Sequence, residues 1–227
     1  MENQFNPNEM PTVLNKPTNY RNLNFYKRSL VLYQLTVAFT QRFFMPYGDR
    51  TVDQMVQAAR SLKQNIAEGC SDGLTSSESE IKLLGIARGS NQELLEDYLD
   101  YLSKHRLVEW KDSNPQFDNL YRFCREHTAL QDYYCVFERG SDEKMANCAI
   151  CLAHMIDKAL TTFLQRKDAE FVKNGGTRER MTAARLQYRN DLQAQNQRLM
   201  NENQFLKAEN ARLMALLGMG ENAGLKK

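Results

Sequence analysis

A chain of 227 residues, 42% hydrophobic and 26% charged, has ordinary globular composition and room for one sizeable domain with appendages. Its net charge of +2 neither demands nor excludes a nucleic-acid partner. No stretch approaches the ~20 apolar residues that span a bilayer, and the first residues lack the apolar segment of a signal peptide. A cytoplasmic chain without a membrane partner is therefore expected, with Cys70, Cys124, Cys135, Cys148 and Cys151 as reduced thiols.

Three of the five prolines, Pro7, Pro11 and Pro17, fall in the first 17 residues, among many Asn. Residues 1–20 read as a disordered arm, or one that docks on a neighbour. Leu23–Met45 is the first predicted helix, with Leu23, Tyr26, Leu30, Tyr33, Val37 and Phe44 as its apolar stripe and Lys27, Arg28, Gln34, Gln41 and Arg42 on other faces. The run from Pro46 to Asp49 is its stop signal. Thr51–Glu68 is the second helix, with Asp49 or Thr51 as N-cap and Gly69 and Gly73 ending it. Its stripe is Val52, Met55, Val56, Ala59, Leu62 and Ile66.

Glu78–Arg106 is the third helix, about 43 Å long, with Ser77 and Glu80 at capping-box spacing. Ile81, Leu84, Ala87, Asn91, Leu94, Leu95, Tyr98 and Leu102 track one side, while Gly85 and Gly89 leave room for another backbone. Residues 107–140 are less regular and aromatic, and predict one or two short helices starting near Asn114-Pro115. Ser141 caps the next helix, which runs to Val172 and buries Met145, Cys148, Leu152, Met155, Ile156, Ala159, Leu160 and Phe163. Asn174–Gly176 is a hinge, 177–218 a terminal helix and 219–227 a tail. Four long amphipathic helices predict an all-α fold, an antiparallel four-helix bundle over 21–173 with an inserted helical segment.

The terminal helix carries a heptad repeat. Leu192, Leu199, Leu206 and Leu213 are spaced by seven and occupy d positions; Asn196, Asn203 and Asn210 stand at a. Glu202 at g and Lys207 at the following e can pair between parallel chains. These seven Leu and Asn residues are the expected self-association surface, and Asn at a favours a parallel dimer. Arg178, Arg180, Arg185 and Arg189 precede the repeat as in a basic zipper, but Glu179 interrupts them and no base-reading Asn lies among them.

Catalytic chemistry leaves no trace: no phosphate loop, nucleophile elbow or zinc-protease motif is present, and no catalytic residue, metal or cofactor is expected. Cys148, Cys151 and His154 have metal-like spacing, but no second Cys/His pair completes a site. Glu93, Glu96, Asp97 and Asp100 lack the Glu-x-x-His partners of a di-metal bundle and read as a solvated acidic face or a docking site for basic groups. Arg42, Arg50, Arg60 and Lys63 are the candidate nucleic-acid-binding residues, a modest patch that a ring of copies would multiply.

Two words carry a family resemblance. Ser61-Leu-Lys-Gln-Asn65-Ile-Ala-Glu68-Gly69 resembles the Ser-x-x-x-Asn-Ile-Ala-Glu-Gly signature of a four-helix-bundle family encoded in intervening sequences of bacterial large-subunit ribosomal RNA genes. The segment from Gly85 to Leu94, with Gly89, Ser90 and Glu93, is similar to the family's third-helix word. The resemblance covers residues 22–106 and, loosely, 141–165. It implies a pentameric barrel and, through a related member, the accessory variability protein of diversity-generating retroelements, binding of nucleic acid and of a reverse transcriptase. Residues 107–140 and the coiled-coil suffix depart from the short members, and Gln57 stands where a basic residue is common. Physically, Ser61, Asn65, Glu68, Gly69, Gly89, Ser90 and Glu93 read as packing and bonding devices. The expected protein is a non-enzymatic oligomer that binds RNA or DNA; the alternative is an assembly or adaptor protein without a nucleic-acid role.

Overall fold

A computed structural model describes residues 13–44, 50–111 and 114–217. Among the described residues seven α-helices follow in order: α1 Asn24–Phe43, α2 Arg50–Asp72, α3 Ser77–His105, α4 Pro115–Glu126, α5 Tyr134–Arg139, α6 Asp142–Asn174 and α7 Thr177–Leu216. No strand occurs among the described residues, as the scarcity of Pro and Gly inside the periodic segments implies. The stop signal at Pro46–Asp49, residues 1–12 and the tail lie outside the described residues.

Helices α1, α2, α3 and α6 form a closed ring of neighbours, α1 on α2, α2 on α3, α3 on α6 and α6 on α1. Short α2–α3 reversal makes consecutive helices antiparallel, so the architecture is an all-α four-helix bundle. Its core is Val31, Leu32, Leu35 and Phe39 from α1, Met55, Ala59, Leu62 and Ile66 from α2, Leu84, Leu94 and Tyr98 from α3, and Met145, Leu152, Ile156 and Leu160 from α6. Each large side chain among them contributes roughly 1.5–3 kcal/mol by leaving water. Two buried polar side chains bond across the bundle: Tyr98 donates its hydroxyl to Thr36 Oγ1 at 3.0 Å, and Asn91 Nδ2 donates to Ala153 O at 2.9 Å.

Three local expectations are corrected. The core face of α1 is Phe25, Leu32, Leu35 and Phe39, whereas Tyr26, Leu30, Tyr33 and Val37 are half-buried. Helix α2 does not stop at Glu68 but runs through Gly69 to Asp72, with Gly73 just past its end; a Cβ at Gly69 would meet Leu83 Cβ and Leu84 Cγ at 3.2 Å. There the glycine lets α3 approach rather than ending a helix. The cap of α3 is Ser76, whose Oγ accepts from Ser79 N at 3.1 Å, not Ser77. Glu80 instead turns inward, 1% exposed, and pairs with Lys167 Nζ at 3.1 Å.

The α2–α3 turn is tied down from the arm side. Asn15 N donates to Leu74 O at 3.0 Å and its Nδ2 to Gly73 O at 2.6 Å. Segment 107–140 folds onto the bundle. Glu143 accepts from the Trp110 indole at 2.8 Å, and Asn147 Oδ1 accepts from Trp110 N at 2.6 Å, strapping the chain along α6. Asn114 caps α4, accepting from Gln116 N at 2.9 Å, with Pro115 in the first turn. Ser141 caps α6, as the sequence predicts.

Contacts divide the chain into a bundle unit, Leu14–Thr177, and a unit holding α7 from Arg178. Gly175 takes φ 70°, a conformation that favours glycine. Within its own unit α7 is a 40-residue helix with no buried residue.

Candidate nucleic-acid interface

Arg28 occupies the apolar side of α1 one turn after Phe25, and is 9% exposed. Its Nε and Nη2 donate to Cys124 O at 3.4 Å and Arg125 O at 3.1 Å. These carbonyls belong to the last turn of α4, have no donor within the helix, and form the negative end of its dipole. A guanidinium there both satisfies them and fixes α4 against α1.

The docking creates a cleft of about 500 Å³ between α1, α4 and α6. Phe25 and Arg28 line it from α1, Tyr121 and Arg125 from α4, and Met155, Lys158, Ala159, Thr162, Phe163 and Arg166 from α6. Arg125, Lys158 and Arg166 therefore face it, with Arg28 held behind them on the α4 carbonyls, and none of the lining residues is a carboxylate. Its floor is aromatic: Phe25 and Phe163 meet edge to face at 5.4 Å, and the Arg166 guanidinium lies 4.8 Å from the Phe163 ring centre. Arg125 and Arg166 also reach Glu126 at 3.6 Å and Glu170 at 3.7 Å. Both pairs are long and more than half exposed, worth at most about 1 kcal/mol each, so a phosphate can replace the carboxylate.

The four cations chosen from the sequence stand elsewhere. Arg42 donates from Nη1 to Phe137 O at 2.6 Å and to Met145 Sδ at 3.2 Å, which ties α1 to α5 and α6. Lys63 is half-buried with its ammonium 4.5 Å from the Tyr33 ring centre. Arg60 is exposed on α2. Arg50 lines a different groove, so the four do not converge on one cleft. The residues that do converge had a sequence signal: Lys158, Thr162 and Arg166 fall at steps of four on α6, Tyr121 and Arg125 at the same step on α4, and Arg28 is a cation in an apolar stripe. Arg28 was expected on another face, and its burial is explained by the carbonyls it meets.

That other groove, about 880 Å³ between α2 and α3, is where the two sequence words meet. Ser90 Oγ donates to Ser61 Oγ at 2.9 Å, and Asn65 Nδ2 reaches Ser61 O at 2.9 Å and Ser61 Oγ at 3.0 Å. The words thus clamp α2 to α3 with Ser61 as the hub. Glu68 is exposed; at Gly89 and at Gly85 a Cβ would meet nothing within 4 Å among the described residues, so the expectation that these glycines admit another backbone is corrected within the chain. Above the clamp stand Asp53, Glu93, Glu96 and Asp97, opposed by Arg50. Burial, with Asp100 and Glu93 nearby, holds the Asp97 carboxyl above the usual range. This groove repels phosphates.

Cys124 joins Cys148 and Cys151 in the core, with Cys124 Sγ 3.9 Å from Cys148 Sγ. Hydrogen bonding to Cys148 and burial push the Cys124 thiol far above its ordinary range, so the group stays protonated and unreactive. His154 is exposed and apart from the core thiols. Among the described residues no group of three or more His, Cys, Asp or Glu is placed to hold a metal ion, and no helix is long and apolar enough to cross a membrane.

A model of the family described as 23S rRNA-intervening sequence protein matches residues 21–130. Comparison with the curated proteins and with the solved structures finds no match. The matched span starts ahead of α1, contains both words, and continues through α4, beyond the residues on which the resemblance was read. Over residues 21–130 the chain is thus similar to the 23S rRNA-intervening sequence protein family.

Proposed function

We propose that the protein is a non-enzymatic, self-associating accessory protein that binds nucleic acid in the cleft between α1, α4 and α6. The observation that carries this reading is a cleft lined by Arg125, Lys158 and Arg166 beside the buried Arg28, floored by aromatic rings and without a carboxylate among its lining residues. Clustered cations gather phosphates by releasing condensed counterions, and aromatic side chains give bases a surface to stack on. The family's description supports an RNA context. A reverse transcriptase is the protein partner that the resemblance adds, tested by co-purification of the two chains. Self-association is supported by α7, whose Leu192, Leu199, Leu206 and Leu213 are 38–52% exposed. That same seam favours a second reading, an assembly or adaptor protein with no nucleic acid.

Salt-dependent RNA binding separates the two. The first reading expects the full chain to bind RNA with an affinity that falls steeply with salt, by a slope of about 0.7 per phosphate contacted on a single strand. Reversing Lys158 and Arg166 to Glu should lower affinity at least tenfold, whereas Arg60→Glu should have a smaller effect. No RNA retention at low salt would leave the adaptor reading.

A further inference from the structure

Resting on the nucleic-acid reading, we infer that the cleft takes an unpaired nucleotide of a single strand, with its base stacked on Tyr121 and its phosphates on Lys158, Arg166 and Arg125. Size is the first argument. The concavity, about 500 Å³ and widely open to solvent, has room for one nucleotide lying against its walls. A duplex instead offers a convex phosphate ridge with its bases stacked inside.

Chemistry is the second argument. Tyr121 is 43% exposed at the cleft rim, its ring 5.9 Å from that of Phe117 on the same helix. Across from it α6 supplies Met155 and Ala159, half-buried apolar side chains that exclude water from the other side of an inserted ring. The cations sit on the same walls at helical spacing, Lys158 and Arg166 two turns apart on α6. Lys158 is exposed and its ammonium makes no ion pair among the described residues. A site reading duplex phosphates alone would have no use for a ring at its rim. Aromatic stacking platforms flanked by cations are how unpaired strands are held irrespective of sequence.

Fluorescence anisotropy with the full chain tests this, using a labelled ten-nucleotide oligoribonucleotide and a duplex of the same sequence. The single strand is expected to bind at least tenfold tighter. Tyr121→Ala should lower single-strand affinity about tenfold and leave duplex affinity unchanged, and Tyr121→Phe should retain wild-type affinity. Lys158→Ala should weaken both probes and flatten the salt slope. Equal affinity for the two probes with Tyr121→Ala silent would overturn the inference and leave the nucleic-acid reading standing. Failure of both probes to bind at low salt would overturn the two together. Circular dichroism of each variant confirms the fold, which substitution of an exposed ring should not disturb.

Discussion

Glu80 shows how one side chain can be misread from spacing and what its true position costs. Spacing makes it the back-bonding half of a capping box with Ser77, but Ser76 takes the cap and Glu80 turns inside against Lys167. Gly73 accommodates it, since a Cβ there would lie 2.5 Å from the Glu80 carboxyl carbon. Its Oε1 has no hydrogen-bond partner among the described residues. Burial outweighs Lys167 and raises the Glu80 carboxyl above its usual range. An acid whose folded pKa is raised binds its proton more tightly in the folded state, so the fold gains stability as pH falls through that raised value toward the ordinary one near 4.5. Glu80→Gln removes the titration. Urea midpoints should therefore place the variant closest to, or above, wild type at pH 8, and wild type should gain on it as pH falls to 5. A pH-independent gap between the two would contradict the assignment. Lys167→Met, by contrast, leaves a buried carboxylate without its cation and should cost about 3 kcal/mol at pH 8.

At the scale of elements, periodicity gave core residues on α2, α3 and α6 but not the inward face of α1. Helix α2 has one clear apolar side, which places Met55 and Leu62 in the core; periodicity also places Leu94, Tyr98, Leu152 and Ile156 there, although residues 145–153 of α6 are buried on every side. On α1 apolar residues lie nearly all round, and Tyr26, Tyr33 and Val37 compete with Phe25, Leu32 and Phe39; which set faces inward depends on neighbours that periodicity cannot see. Cations failed for the same reason. Residue type marks Arg42 and Arg28 alike, but only tertiary packing sends Arg42 to Phe137 O and Arg28 to the end of α4. The Ser61, Asn65 and Ser90 clamp was legible as a bonding device because short polar side chains in a helix–helix seam need partners. Arg42 then becomes a test of placement. Arg42→Ala should lower stability by about 1 kcal/mol, the worth of a hydrogen bond to a carbonyl, and leave RNA affinity unchanged. Chemical denaturation alongside the anisotropy assay reads both, and a tenfold loss of RNA affinity would return Arg42 to the interface.

For the whole molecule the open question is stoichiometry, and α7 sets the terms. Its heptad seam has Leu at d and Asn at three consecutive a positions, and no residue of the helix is buried in its own unit. Four heptads of exposed leucine are costly to leave in water but marginal as an isolated helix, so pairing should be concentration-dependent. Asn at a weakens a coiled coil because each amide must desolvate, yet it bonds well only to an Asn across a two-stranded parallel interface, which selects register and number. We therefore propose a parallel α7 dimer. Leu206→Lys, which puts a charge in the seam, should halve the native mass of the full chain at micromolar concentration. Asn203→Leu should do the opposite, raising the melting temperature of the assembly while broadening its stoichiometry beyond a single species. If Leu206→Lys leaves the native mass unchanged, the bundle alone sets the oligomer, and the exposed seam of α7 must serve a different protein.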